Sequence, residues 1–166
     1  MNFEETEEQN MIRDMVRSFA EEVLQPTTLI RDKNQQAPIE EWASFCETSL
    51  QGITIEEDYG GSPVDDITEA IIVEELARVD PSFSVMYCVH VGLCAKTISI
   101  HGNEEQKKKY LSRLAGNEIG AYSLSEAGSG TDAAAMVCKA KLSEDGTHYL
   151  LNGEKMWVTN GSSAEI

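Results

Sequence analysis

Residues 122–132 read Tyr122-Ser123-Leu124-Ser125-Glu126-Ala127-Gly128-Ser129-Gly130-Thr131-Asp132, and what lies on either side of them decides the fold. A β-prone run over 119–125 leads into a loop with two glycines and several hydroxyls. Such a loop lets a ligand approach the backbone closely and offers amide and hydroxyl donors to oxyanions. A dinucleotide-binding loop of the Rossmann kind would pass into a helix within a βαβ unit. Here β-prone runs follow instead, over 136–142, 148–151 and 154–159. Turns are expected at Glu144-Asp145-Gly146 and at Asn152-Gly153, and an Asn-Gly pair between two such runs predicts a hairpin. A plain surface turn would account for the glycine loop equally well.

Upstream the period changes from two to 3.6. Ile12, Met15, Val16, Phe19, Val23 and Leu24, with Phe3 before them, recur at helical spacing and predict a helix over 4–33, kinked or interrupted at Pro26. A second helix is expected over 39–50, with Trp42, Phe45, Cys46 and Leu50 on one face. Residues 56–63, rich in turn formers around Gly60-Gly61-Ser62-Pro63, read as a loop. Asp66 is the expected cap of a third helix, with Glu69 completing a capping box. Pro81 suits the first turn of a fourth, over 83–100, apolar all round and closed by Gly102. Asn103 caps a fifth over 104–115. The fold class is therefore α+β: an up-and-down-type helical bundle over 1–117, then a partial antiparallel β domain over 118–166.

Composition removes other classes. The 166 residues carry 13 basic and 29 acidic side chains, a formal charge of −16, with 20 acids and 5 bases in residues 1–80. Phosphate binding needs a basic face, so nucleic acid is not expected as a partner. The acidic surface reads as a solvated helix face, or as a docking face for a basic protein. Ser84, His90, Lys96 and Ser99 interrupt the most apolar stretch, so no membrane span is expected, and the acidic N-terminus is unlike a signal peptide. A cytoplasmic location follows. Cys46, Cys88, Cys94 and Cys138 have no metal-ligand spacing and read as reduced thiols. His90, His101 and His148 take structural readings, His101 at a helix C-terminus that favours a cation.

The second chemically suggestive segment is Lys155-Met156-Trp157-Val158-Thr159-Asn160-Gly161. On a strand, Trp157 and Thr159 face one side and could set an aromatic plane and a hydroxyl against a flat ligand. A tryptophan in a sheet core is the alternative. Taken together, the two segments resemble the acyl-CoA dehydrogenase family. Ser125-Glu126, then Ser129-Gly130-Thr131-Asp132, is similar to that family's signature. Gly52-Ile53 before Tyr59-Gly60-Gly61, the run Glu74–Asp80, His90 and the run 102–111 follow the family's order, so the resemblance spans essentially the whole chain.

The resemblance implies an N-terminal helical domain, a middle β domain and a C-terminal bundle with FAD held between them, and α,β-dehydrogenation of an acyl-CoA substrate. It places the Tyr122 and Leu124 backbones and the Ser125 hydroxyl on the polar edge of the flavin. It puts Trp157 and Val158 beside the ring and Thr159 near the nitrogen that accepts hydride. Thr131 falls where acyl-CoA and the FAD pyrophosphate meet, and so serves substrate as well as cofactor. Ala127 stands where proline is frequent, which loosens the loop without removing a donor. Electron-transferring flavoprotein is the implied electron acceptor and a homotetramer the implied assembly. The family's carboxylate base lies in the C-terminal bundle, so no catalytic residue is expected within these 166. Weak or absent flavin binding and no turnover are expected of the chain alone. A non-catalytic helical binding module, or an acyl-CoA oxidase or flavin monooxygenase relative, is the alternative.

Overall fold

A computed structural model describes residues 4–166; Phe3 of the first helical stripe lies outside them. Helix α1 (Glu7–Phe19) opens with a capping box in which Thr6 and Gln9 satisfy each other's backbone amides. It runs through a π-helical turn, Ala20–Leu24, into α2 (Gln25–Asn34). Pro26 therefore does not break the helix. A proline here lacks an N–H and crowds the carbonyl four residues back, and the wider turn just before it takes up both defects. Gln35, at φ 55°, ends α2 in the left-handed region.

Helix α3 (Ile39–Cys46) is shorter than expected, and Leu50–Gly52 forms a separate 3₁₀ turn. Helix α4 (Asp66–Val79) is capped by Asp65, whose carboxylate accepts from Ile67 and Thr68 amides, rather than by Asp66. Glu69 is free of capping duty and pairs with Lys96 at 3.0 Å. Asp80 caps the next helix, with Pro81 in its first turn. It comprises α5 (Pro81–Cys88), a π-helical stretch Val89–Ala95, and α6 (Lys96–His101). Its length and mean hydropathy of 1.4 suit a membrane span, but half of it is packed inside the protein. Helix α7 (Glu104–Ala115) starts with an Asn103–Gln106 capping box.

These helices enclose an aromatic-rich core. Phe45 packs edge-on against Phe19, Phe83 and Tyr87 at centroid distances of 5.1, 5.4 and 5.3 Å. Trp42, Ile72 and Leu76 complete it. Glu75, 2% exposed, accepts from Arg13, Arg17 and Arg78. The Arg17 hydrogen bonds come first among the causes that pull its pKa down to about 2. Arg31 joins Glu41 (2.9 Å) and Asp80 (2.6 Å) in a second buried network.

The β region is smaller than the sequence pattern predicts. Strands β1 (Lys139–Leu142) and β2 (Tyr149–Asn152) pair antiparallel, Lys139 opposite Asn152 and Leu142 opposite Tyr149. The turn joining them is at 143–148, where the Asp145 carboxylate accepts from Ser143 and Thr147 and Gly146 takes φ 70°. Asn152-Gly153 lies at the end of β2 and makes no hairpin. Residues 119–125 and 154–159 are extended or irregular, without a ladder. A ladder needs a neighbour strand in register, and among the described residues these runs have none. The chain instead returns to the helices: Ala121 N–H donates to Ile166 (2.8 Å), Ile119 N–H to the Glu165 carboxylate (2.8 Å), and Ala164 packs on the main core.

Candidate functional site

The two chemically suggestive segments come together. Met156 N–H donates to the Ser125 carbonyl at 2.9 Å, which lays 155–156 alongside 124–126. Lys155 Nζ donates to the Glu126 carboxylate and to the Leu124 carbonyl, both at 2.8 Å. Glu126 is buried and also accepts from the amides of Val137 (2.7 Å) and Cys138 (3.1 Å). The Lys155 hydrogen bond, then those amides, hold its carboxyl below the ordinary carboxylate range. Reciprocal backbone bonds between Glu126 and Ser129 close the loop, and buried Ser129 donates its hydroxyl to the Asp132 carbonyl at 2.8 Å. Glu126, Ser129 and Lys155 therefore form the frame of the site.

The residues expected to meet a ligand show the opposite condition. Among the described residues, the amides of Tyr122, Ser123, Leu124 and Ser125 donate to no acceptor within the protein. The hydroxyls of Ser125, Thr131 and Thr159 likewise have no protein partner. A Cβ added at Gly128 or Gly130 would meet nothing within 4 Å, so internal packing does not demand glycine at either. An unpartnered row of amides beside free hydroxyls suits a ring edge bearing carbonyl oxygens and nitrogens.

Trp157 departs from the strand reading. Its φ is 60°, its side chain is 85% exposed, and the following residues turn rather than alternate. Trp157 and Thr159 therefore do not share the face of a strand. Val158 and Thr159 are half-buried in the turn that follows, and Thr131 is exposed in a bend. An open concavity of about 350 Å³ lies on the frame side, lined by Glu126, Ala127, Gly128, Val137, Lys155 and Met156 among others. None of the expected ligand residues lines it.

One contact that sequence reasoning passed over ties the site to the core. His90, fully buried, has Nε2 3.2 Å from the Gln51 carbonyl, and its Nδ1 accepts from Gly120 N–H at 3.0 Å. Burial pushes its pKa down to about 4. A neutral ring with the proton on Nε2 satisfies both contacts. Its place in an otherwise apolar helix was the available signal.

The model for the acyl-CoA dehydrogenase N-terminal domain matches residues 6–118. Across 99% of its length the chain is 41% identical to a short-chain-specific acyl-CoA dehydrogenase of Clostridium acetobutylicum, and spans 43% of that relative. Among solved structures it superposes, with TM-score 0.92 and 41% identity, on a chain described with the electron transferring flavoprotein of Acidaminococcus fermentans. That match covers 99% of this chain and 43% of the other. An acyl-CoA dehydrogenase from Bacillus anthracis complexed with FAD matches with TM-score 0.90 and 35% identity, covering 97% of this chain and 28% of that one.

Proposed function

The chain belongs to the acyl-CoA dehydrogenase family, and from that premise we propose that segments 122–132 and 157–159 bind the edge of an FAD isoalloxazine ring in an enzyme desaturating acyl-CoA thioesters. Residues 1–117 then form the helical domain and 118–166 open the β domain. The observation that carries the reading is the contrast within one loop. Glu126, Ser129 and Lys155 are saturated by internal hydrogen bonds, while the Tyr122–Ser125 amides and the Ser125, Thr131 and Thr159 hydroxyls are unpartnered.

The Tyr122 and Leu124 amides and the Ser125 hydroxyl would hold the polar ring edge, with Val158 and Trp157 against its plane and Thr159 donating toward the hydride-accepting side. Thr131 would serve both FAD and the acyl-CoA. Bound FAD would supply the redox chemistry of the α,β-dehydrogenation. Within the site, Glu126 is no base: its carboxylate already accepts from Lys155 and two amides and has a lowered proton affinity. We therefore assign no catalytic base to this site and expect no turnover from the 166 residues alone. The short-chain specificity of the Clostridium acetobutylicum relative supports a short acyl chain. The neighbour described with an electron transferring flavoprotein supports that class of acceptor. Homotetrameric assembly is carried over from the resemblance, and a cytoplasmic location is proposed as the default from sequence composition.

The two tryptophans give a direct test. Trp42 is 2% exposed and Trp157 85% exposed, so an aqueous quencher reports on Trp157 alone. Titrating FAD against the 166-residue chain should protect Trp157 weakly but saturably, and the effect should vanish in Trp157→Phe. Unchanged quenching at saturating FAD would show that the ring edge does not bind here.

A further inference from the structure

The backbone of Gly120 is gripped from both sides. Its N–H donates to His90 Nδ1 at 3.0 Å, and its carbonyl accepts from Asn160 Nδ2 at 2.9 Å. The same Asn160 amide group donates to the Met86 carbonyl on α5 at 3.0 Å. Behind His90, the Gln51 carbonyl faces Nε2, and Gln51 Nε2 donates to the carbonyls of Ala115 (2.7 Å), the last residue of α7, and of Gly116 (2.8 Å), which follows it. The Trp42 ring sits edge-on to the imidazole at 4.8 Å. Gly120 also has no room to move inward: a Cβ there would stand 2.7 Å from Cys94 Sγ and 3.0 Å from Leu114.

The placement along the chain gives this grip its meaning. Gly120 precedes the first ligand-facing amide, Tyr122, by two residues. Asn160 follows Thr159 directly and is held at φ 66°. The backbone of a single residue thus joins both segments to the Pro81–His101 helix. We propose that His90 and Asn160 are positioning residues: through the backbone N–H and carbonyl of Gly120 they hold segments 122–125 and 157–159 in fixed relation to each other. Their effect on flavin binding rests on the function proposed above; the coupling between the segments does not.

The test uses the whole chain and three variants. His90→Leu removes both polar contacts of the ring. His90→Gln keeps one donor and one acceptor. Asn160→Gly keeps the positive φ, which glycine tolerates, and deletes the donor. Backbone amide resonances are followed in each, with Ile72 and Leu76 as markers of an intact core. The expected result is crosswise. His90→Leu shifts Val158 and Thr159, Asn160→Gly shifts Tyr122 to Ser125, the core markers stay, and His90→Gln returns the pattern toward wild type. FAD protection of Trp157 should weaken about tenfold in His90→Leu and Asn160→Gly and recover in His90→Gln, as expected when aligned donors are displaced. Shifts confined to each variant's own neighbours, or a His90→Gln pattern as disrupted as His90→Leu, would overturn the proposal. If FAD fails to protect Trp157 even in the wild type, the flavin reading falls, while the amide shifts still decide the clamp.

Discussion

The helical region and the segment from Tyr122 onward treat their apolar residues in opposite ways. Phe45, Ile72, Leu76, Phe83 and Tyr87 are wholly or almost wholly buried, and even the charged groups inside, Glu75 and Asp80, are fully partnered. In the hairpin, every residue of both strands is exposed, with Leu151 at 75%, and Val137 just before it is at 73%. One region gains its order by burying side chains of different helices against one another. The other is held by a few polar clasps, chiefly Glu126–Lys155 and the Gly120 grip, and leaves donors unpartnered. Stability and ligand chemistry are thus separated along the chain, and equivalent substitutions should behave differently in the two regions.

The largest expected effect is in the aromatic core. Trp42→Ala empties a site packed against Phe45, Phe83 and His90 and should cost about 3–5 kcal/mol in urea unfolding. A loss below about 1 kcal/mol would mean that this core is no better packed than the hairpin.

Glu75 comes next. Glu75→Gln leaves Arg13, Arg17 and Arg78 converging on a neutral amide and should cost about 2–3 kcal/mol, below a fully buried pair because two of the arginines are half-exposed. The pH dependence has a definite sign. The folded pKa, about 2, lies below the ordinary value of 4.5, so Glu75's contribution is complete above pH 4.5 and is lost as pH falls toward 2. His90 acts in a higher window. Its folded pKa of about 4 lies below 6.5, so the unfolded chain takes up its proton first and stability falls from pH 6.5 to 4. Unfolding midpoints measured from pH 7 to 3 should show both slopes, with His90→Gln removing only the upper one.

A matched glycine pair makes the same contrast at smaller scale. Gly120→Ala drives a methyl into Cys94 and Leu114 and should cost about 1–3 kcal/mol. Gly130→Ala meets nothing and should stay within about 0.5 kcal/mol, yet should weaken FAD protection of Trp157. Equal stability losses at the two sites would erase the distinction.

The same division explains what could be read in advance. Helix positions, the Asn103 cap, the Pro81 start and the buried face of Trp42, Phe45 and Leu50 follow from local periodicity, because a helix satisfies its own backbone. The cap at Asp65 in place of Asp66 is a shift of one residue between adjacent aspartates, which only geometry decides. Strand pairing was the weak point. Asn152-Gly153 has the right residues for a hairpin, but 154–159 finds no partner, while Asp145 and Gly146 build the turn that forms. In the site, the loop 122–132 was legible as a motif. The Gly120 clasp was not, since it joins His90 to a glycine thirty positions away through a contact that leaves no sequence pattern.

Trp157 should show the smallest change in stability and sets the limit of the comparison. With 85% of its side chain exposed, Trp157→Ala removes almost no burial and should shift unfolding by no more than about 0.5 kcal/mol. Its backbone adds a sharper test. At φ 60° a side chain bearing a Cβ is strained by about 1–2 kcal/mol, and glycine is not. Glycine's greater unfolded-state freedom offsets about 0.5–1 kcal/mol of that relief. Trp157→Gly should therefore be at least as stable as Trp157→Ala, while both weaken FAD binding measured by equilibrium dialysis. A strained, exposed tryptophan whose removal leaves stability unchanged but weakens ligand binding is positioned for the ligand. If Trp157→Ala costs as much as Trp42→Ala, the ring is packed against protein in solution, and the division between a self-buried region and a ligand-facing one does not hold.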